Sequence, residues 1–187
     1  MNWQERFDAA LRYADFLEAH GTPAHRQRWR AVYERVALRP EQTALLAGFT
    51  RRMNVLCLAG AWCGDCVDQC PIFQRFAEAG PRIELRFLDR DAHPDVQREL
   101  SLCGGNRVPV VVFLSEDFAE CGRYGDRTLS RYRELAGTLM GAACPTGIAS
   151  AAPADLLSAV TADWLVEFER IQLMLRLSPR LRERYGD

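Results

Sequence analysis

The run Asn54-Val55-Leu56-Cys57-Leu58-Ala59-Gly60-Ala61 leads straight into Trp62-Cys63-Gly64-Asp65-Cys66, and no other segment restricts the fold so narrowly. An unbroken apolar stretch rich in Val and Leu and punctuated by Gly60 reads as a buried strand entering a turn. A helix is then expected to begin at the cysteines. Cys63 would lie near its N-terminus, where unpaired backbone N–H groups and the positive end of the helix dipole favour a thiolate. Cys66, three residues on, faces back toward Cys63 from one turn inside the helix. That makes Cys63 the candidate nucleophile and Cys66 the candidate resolving thiol of a reversible disulfide. Two cysteines at this spacing also occur as buried small hydrophobes or as half of a zinc site. A Trp beside the first Cys, a strand before it and a helix after it favour the redox turn, because a zinc knuckle usually lies between short ribbon strands.

A chain of 187 residues accommodates one domain with a full core and helical additions, not two large domains. The formal net charge of −1, with 26% charged residues, gives no global bias toward nucleic acid or anionic membrane. All 24 basic side chains are arginine, spread among 25 acids, which is the bias of a GC-rich genome more than an arginine-based phosphate site. No lysine is available to tune a thiol. Arg26, Arg28, Arg30, Arg35 and Arg39 read as a solvated face. The first residues, Met1 to Asp8, are too polar for a signal peptide, and no apolar stretch approaches the ~20 residues of a membrane span. These features point to a cytosolic (cytoplasmic) chain. Seven cysteines in a reducing compartment argue against a structural disulfide framework. His20, His25 and His93 make no metal spacing with them, and Gly104-Gly105 follows a helix instead of opening a nucleotide-binding loop.

The pattern divides the chain into a helical N-terminal extension over 1–50, a core domain over 51–140, a linker over 141–153 that holds Cys144, and a C-terminal helical extension over 154–187 that packs on the core. The first part reads as one amphipathic helix from Trp3 to Ala19, a second from Pro23 to about Leu38, and a short third through Glu41 to Phe49. After the cysteine helix, Arg82–Asp89 alternates as a strand and Asp95–Cys103 reads as a short helix. Val108–Leu114 and Ala119–Arg123 follow as strands, then Leu129–Leu139 as a helix. Strand, helix, strand, helix, strand, strand, helix is an α/β order ending in a hairpin. From Ala154 to Tyr185, Leu157, Val160, Trp164, Leu165, Phe168, Ile171, Leu173 and Leu175 form an apolar stripe, broken near Ser178-Pro179.

From about residue 50 to 140 these features resemble the thioredoxin superfamily. The resemblance rests on the Trp62-Cys63-Gly64-Asp65-Cys66 turn after a strand, on Pro71 eight residues after Cys63, on Val108-Pro109 before a later strand, and on Asp91-Ala92-His93-Pro94 after the central strand. The long flanks resemble a bacterial group of thioredoxin-like proteins with helices added before and after the core. The resemblance implies a thioredoxin-like central mixed sheet flanked by helices. It also implies a cis Pro109 packed against the disulfide, a Val108 backbone that pairs with a substrate peptide, and Trp62 beside that substrate, with Gly64 and Asp65 in support. The implied redox group is the Cys63–Cys66 disulfide itself, with no metal or other cofactor. The implied partners are a disulfide-containing protein or small thiol substrate and an external reductant. Such a loop is expected to leave a sheet edge open beside Cys63 for an extended peptide.

Three departures from the family pattern bear on the chemistry. The buried acid six residues before the first Cys is here Cys57, and its lysine partner aligns near Phe87, so the usual proton route is missing. Asp65 replaces the usual proline between the cysteines; its charge opposes a thiolate at Cys63, while its short side chain suits a helix cap or an acid–base role. Cys70, one turn beyond Cys66, is a third thiol, expected to be inert. Cys103 and Cys121 read as core or edge thiols. Two other functions stay open: an iron–sulfur or zinc site through Cys63, Cys66 and Cys70, completed by Cys57 or Cys103, and a non-catalytic adaptor that binds partners through its helical flanks.

Overall fold

The computed structural model describes residues 1–140 and 155–186, so the expected linker and Cys144 lie outside the described residues. Four strands form one sheet in the order β2-β1-β3-β4, with β1 Met53–Ala59, β2 Ile83–Asp89, β3 Val110–Leu114 and β4 Glu120–Gly125. β1 pairs in parallel with β2 and antiparallel with β3, and β3 pairs antiparallel with β4. All of β1 is buried. A strand covered on both faces has no wet side to pattern, which is why it reads as a continuous apolar run.

Helices α1 (Trp3–Ala9), α2 (Tyr13–His20), α3 (Pro23–Arg35) and α4 (Pro40–Ala47) precede the sheet. Helix α5 (Gly64–Ala79) crosses from β1 to β2, α6 (Pro94–Glu99) follows β2, and α7 (Leu129–Met140), α8 (Leu156–Leu177) and α9 (Pro179–Tyr185) complete the described chain. The single helix expected over Trp3–Ala19 is in fact two. Between them Leu11 exchanges both backbone hydrogen bonds with Phe87, at 2.9 and 2.7 Å, and so covers part of the outer edge of β2. Helix α3 ends at Arg35, short of Leu38. Helix α6 ends at Glu99, short of Cys103: Leu102 and Gly105 exchange backbone hydrogen bonds around a turn in which Cys103 has φ 51° and Gly104 φ 69°. Leu173, expected in the apolar stripe of α8, is 52% exposed while Ile171 and Leu175 are buried, since residues two apart on a helix point to different sides.

Register places Cys57, Phe87 and Val111 side by side, with Val55, Leu85 and Phe113 on the same face. That face receives helices from both flanks of the chain. Phe87 meets Phe16 and Trp29 at centroid distances of 5.4 and 6.4 Å, while Phe168 of α8 meets Phe113 and Phe76 at 5.1 Å. Trp164 stands edge-on to Phe73 of α5 at 4.5 Å. Such pairs contribute about 0.5–1.5 kcal/mol each beyond their buried area. The helix expected to carry the chemistry, α5, therefore packs between α3 and α4 from one flank and α8 from the other.

Candidate active site

The turn after β1 is set by main-chain bonding. Cys63 is the N-cap of α5, with φ −75° and ψ 128°; its N–H donates to the Gly60 carbonyl at 3.0 Å and its carbonyl accepts from Val67 at 3.0 Å. Its sulfur, partly exposed, lies over the first turn of α5, where the amides of Cys66 and Asp65 favour a thiolate. Cys66 is fully buried behind it, and its sulfur accepts the Gly60 N–H at 3.4 Å. Gly60 is needed here because a Cβ would stand 2.8 Å from the Trp62 indole. Trp62 itself is 41% exposed, with the Arg90 guanidinium 4.4 Å from its ring centroid. At Gly64 a Cβ would meet nothing nearer than Arg28 at 4.0 Å, so glycine keeps the surface beside Cys63 low.

The Val108–Pro109 peptide is cis and faces this turn: the Cys63 thiol donates to the Val108 carbonyl at 3.5 Å. Val108 and Pro109 are buried. Gly125 closes over them with φ 154°, where a Cβ would sit 2.5 Å from the Pro109 carbonyl oxygen. The open sheet edge expected beside Cys63 is not there. β3 is an interior strand, paired on both sides from Val110 onward, and the edge strands are β2 and β4. What borders Cys63 is the short Arg107–Pro109 stretch ahead of the ladder.

The two cysteines titrate as a pair. Burial opposes ionisation of Cys66, but hydrogen bonds from Cys63, Cys70 and the Gly60 amide outweigh it and bring Cys66 below the ordinary thiol range. Cys63 is pushed far above that range, first by its hydrogen bond to Cys66, then by burial and by the charge on Cys66. One proton leaves readily and the second does not. The pair thus holds a single charge shared between the two sulfurs, with the amides at the start of α5 favouring it on Cys63 and the Gly60 amide favouring it on Cys66.

Asp65 does not cap α5. Its carboxylate is held by Arg127 through two bonds of 2.6 and 3.0 Å, with Arg131 at 3.9 Å. Arg127 also pairs at 3.3 Å with Asp126, which accepts from Tyr132 and from Arg107. Three further side chains support the site without any sequence motif to mark them. Trp29 donates to the Ala61 carbonyl at 2.8 Å, Trp164 donates to Gln69 Oε1 at 2.9 Å, and Gln69 Nε2 donates to the carbonyl of Asp126 at 2.9 Å. Only the periodicity of the two tryptophans was visible, which signals burial alone, and nothing in the sequence marked Gln69.

Behind the pair, Cys70 stands one helical turn after Cys66 and its Sγ lies 3.9 Å from Cys57 Sγ, so one partly exposed thiol is followed by three buried ones. Burial raises both Cys57 and Cys70 above the ordinary thiol range. Cys121 lies on the β4 edge as expected, but Cys103 is exposed on the turn after α6. Among the described residues, no group of three or more His, Cys, Asp or Glu is arranged to hold a metal ion. No described helix is long and apolar enough to cross a membrane.

A mixed four-stranded sheet with a Cys-X-X-Cys turn at a helix N-terminus, facing a cis-proline loop, defines a thioredoxin-like fold. Residues 11–136 match the thioredoxin family, and the chain belongs to it. Among solved structures it is similar to a Pseudomonas aeruginosa protein of unknown function, with 22% identity and a TM-score of 0.70 over 91% of this chain and 98% of the other. It is also similar to an HIV epitope-scaffold, with 22% identity and a TM-score of 0.65 over 90% and 99%. Both matches take in the flanking helices, which are therefore part of the shared fold. A search of curated proteins finds no match.

Proposed function

We propose that this protein is a thiol–disulfide oxidoreductase of thioredoxin type, acting in the cytoplasm on a protein or small-molecule disulfide. The observation that carries the reading is the division between the two sulfurs: Cys63 is reachable at the helix N-terminus beside Val108-Pro109, and Cys66 is enclosed directly behind it. The pair gives up one proton, Cys63 attacks the substrate disulfide as the thiolate while Cys66 keeps the other proton, a mixed disulfide forms, and the first substrate sulfur leaves. Cys66 then attacks Cys63 Sγ, its proton goes to the departing substrate thiolate, and the Cys63–Cys66 disulfide is returned to the dithiol by an external reductant. Cys66 thereby fills the acid–base place that the missing carboxylate leaves vacant. Trp62 and the Arg107–Pro109 stretch flank the incoming substrate.

Trapping tests this. Cys66→Ser is expected to accumulate a mixed disulfide through Cys63 with a peptide disulfide substrate, and Cys63→Ser to react with none. Absence of any adduct on Cys63 in the Cys66→Ser protein would contradict the mechanism and favour a non-catalytic adaptor.

A further inference from the structure

We propose that Cys57 and Cys70 form an internal dithiol that takes over the disulfide made at Cys63 and Cys66, so that the chain stores two disulfides where a single Cys-X-X-Cys pair stores one. The proposal rests on the oxidoreductase reading for its first disulfide. Cys63, Cys66 and Cys70 are spaced by three and four residues from the N-cap of α5, which sets their sulfurs in sequence along one helix face. Cys66 lies between the other two, three residues after Cys63 and four before Cys70, and its ionisation responds to both. Cys57, in the central strand β1, meets Cys70 sulfur to sulfur at 3.9 Å, and both are fully buried. Closing that contact to a bond of about 2.05 Å brings the two sulfurs together by roughly 2 Å. Cys57 belongs to the central strand and Cys70 to the helix packed on it, so the contact joins the buried end of the helix thiols to the sheet.

Each exchange balances without an outside reductant. In the first, Cys70 loses its proton and attacks Cys66 Sγ of the Cys63–Cys66 disulfide; the Cys66–Cys70 bond forms, the Cys63–Cys66 bond breaks, and Cys63 leaves as a thiolate. In the second, Cys57 loses its proton and attacks Cys70 Sγ, the Cys57–Cys70 bond forms, and Cys66 leaves. The two released protons go to the two released sulfurs. No electrons enter or leave. Cys63 and Cys66 are dithiol again, free to reduce a second substrate disulfide, while the first oxidation is held in the core beyond the reach of bulky thiols. Because the attacking groups must ionise and burial resists that, the transfer is slow near neutrality and quickens by about tenfold per pH unit.

The test follows one chain through time. The reduced protein is given one equivalent of a dipyridyl disulfide, quenched in acid at intervals, alkylated after unfolding, and mapped by mass spectrometry at about pH 7 and about pH 9. The expected course is Cys63–Cys66 first, then Cys57–Cys70 as Cys63 and Cys66 regain their thiols, faster at the higher pH, with a second equivalent refilling Cys63–Cys66. Cys57→Ala and Cys70→Ala are expected to halt without a Cys57–Cys70 bond, and Cys66→Ala to form none because the route is cut. Recovery of Cys57 and Cys70 as thiols at every time and pH while Cys63–Cys66 stays closed overturns the internal transfer and leaves the oxidoreductase reading standing. A Cys57–Cys70 bond in Cys66→Ala overturns it by showing direct oxidation. Failure of Cys63–Cys66 to close at all contradicts the oxidoreductase reading itself.

Discussion

The indole N–H of Trp29 donates to the main-chain carbonyl of Ala61 across 2.8 Å, with both groups buried. A helix from the N-terminal extension thereby fixes the peptide two residues before Cys63. The extension is part of what aims the nucleophile.

Replacing Trp29 with Phe keeps an aromatic ring but leaves the Ala61 carbonyl unpaired in the core and a small void where the larger indole stood, at a cost of at least about 1–3 kcal/mol. Denaturant unfolding should show that loss, together with slower alkylation of Cys63 in the native protein. A variant as stable and as reactive as the parent would remove the positioning role.

Gln69 ties the opposite flank to the site. It accepts from Trp164 and donates to the carbonyls of Asp126 and Asp65, at 2.9, 2.9 and 3.2 Å. Gln69→Leu strands a buried indole N–H and a carbonyl, with an expected loss of roughly 2–4 kcal/mol. A double-mutant cycle with Trp164→Phe should show coupling of at least about 0.5 kcal/mol, and strict additivity would mean that the bond contributes nothing.

These two tryptophans show where sequence reading stops. The strand, the turn and the helix of Cys63 were legible because Val55 to Ala59 is apolar without alternation and Gly60 and Gly64 mark the bend. The chain order of strands and helices followed from the alternation of β2 and the hairpin of β3 and β4, whereas the sheet order β2-β1-β3-β4 appears only in the fold. Trp29 and Trp164 were legible as core, but their hydrogen bonds span 32 and 95 residues, and local periodicity carries no record of such partners. The break at Leu11 was hidden for a related reason: a backbone bridge to Phe87 leaves the apolar spacing of α1 and α2 intact. Asp65 looked like a cap because short acids near helix starts usually are, and only folding brings Arg127 to it.

The Asp65–Arg127 pair allows a test of opposite signs. The Asp65 charge opposes ionisation of Cys66, and Arg127 offsets that charge. Asp65→Asn should therefore lower the first thiol pKa, and Arg127→Leu should raise it by exposing the carboxylate's full field. Rates of iodoacetamide reaction below neutrality are expected to rise about twofold to tenfold in the first variant and fall in the second. Shifts of the same sign would show that local structure, not charge, governs the pair.

Asp117, on the turn between β3 and β4, is bonded to Arg180 and to Arg184 of α9. The hydrogen bond from Arg180 holds its carboxyl well below the usual range. A carboxyl depressed on folding contributes stability above its unfolded pKa of about 3.9 and loses it as pH falls toward the folded value. Asp117→Asn should thus be less stable than the parent at neutral pH, with the difference shrinking as pH drops below about 4 and as salt is added. A difference that is independent of pH would place the effect in packing instead.

The most direct measurement equilibrates the protein in dithiol buffers of graded potential, quenches with acid, alkylates and maps every cysteine. The account predicts a two-electron couple that closes Cys63 to Cys66 within that range, separate from any couple on Cys57 and Cys70. A Cys63–Cys66 pair that stays reduced across the whole range would contradict it.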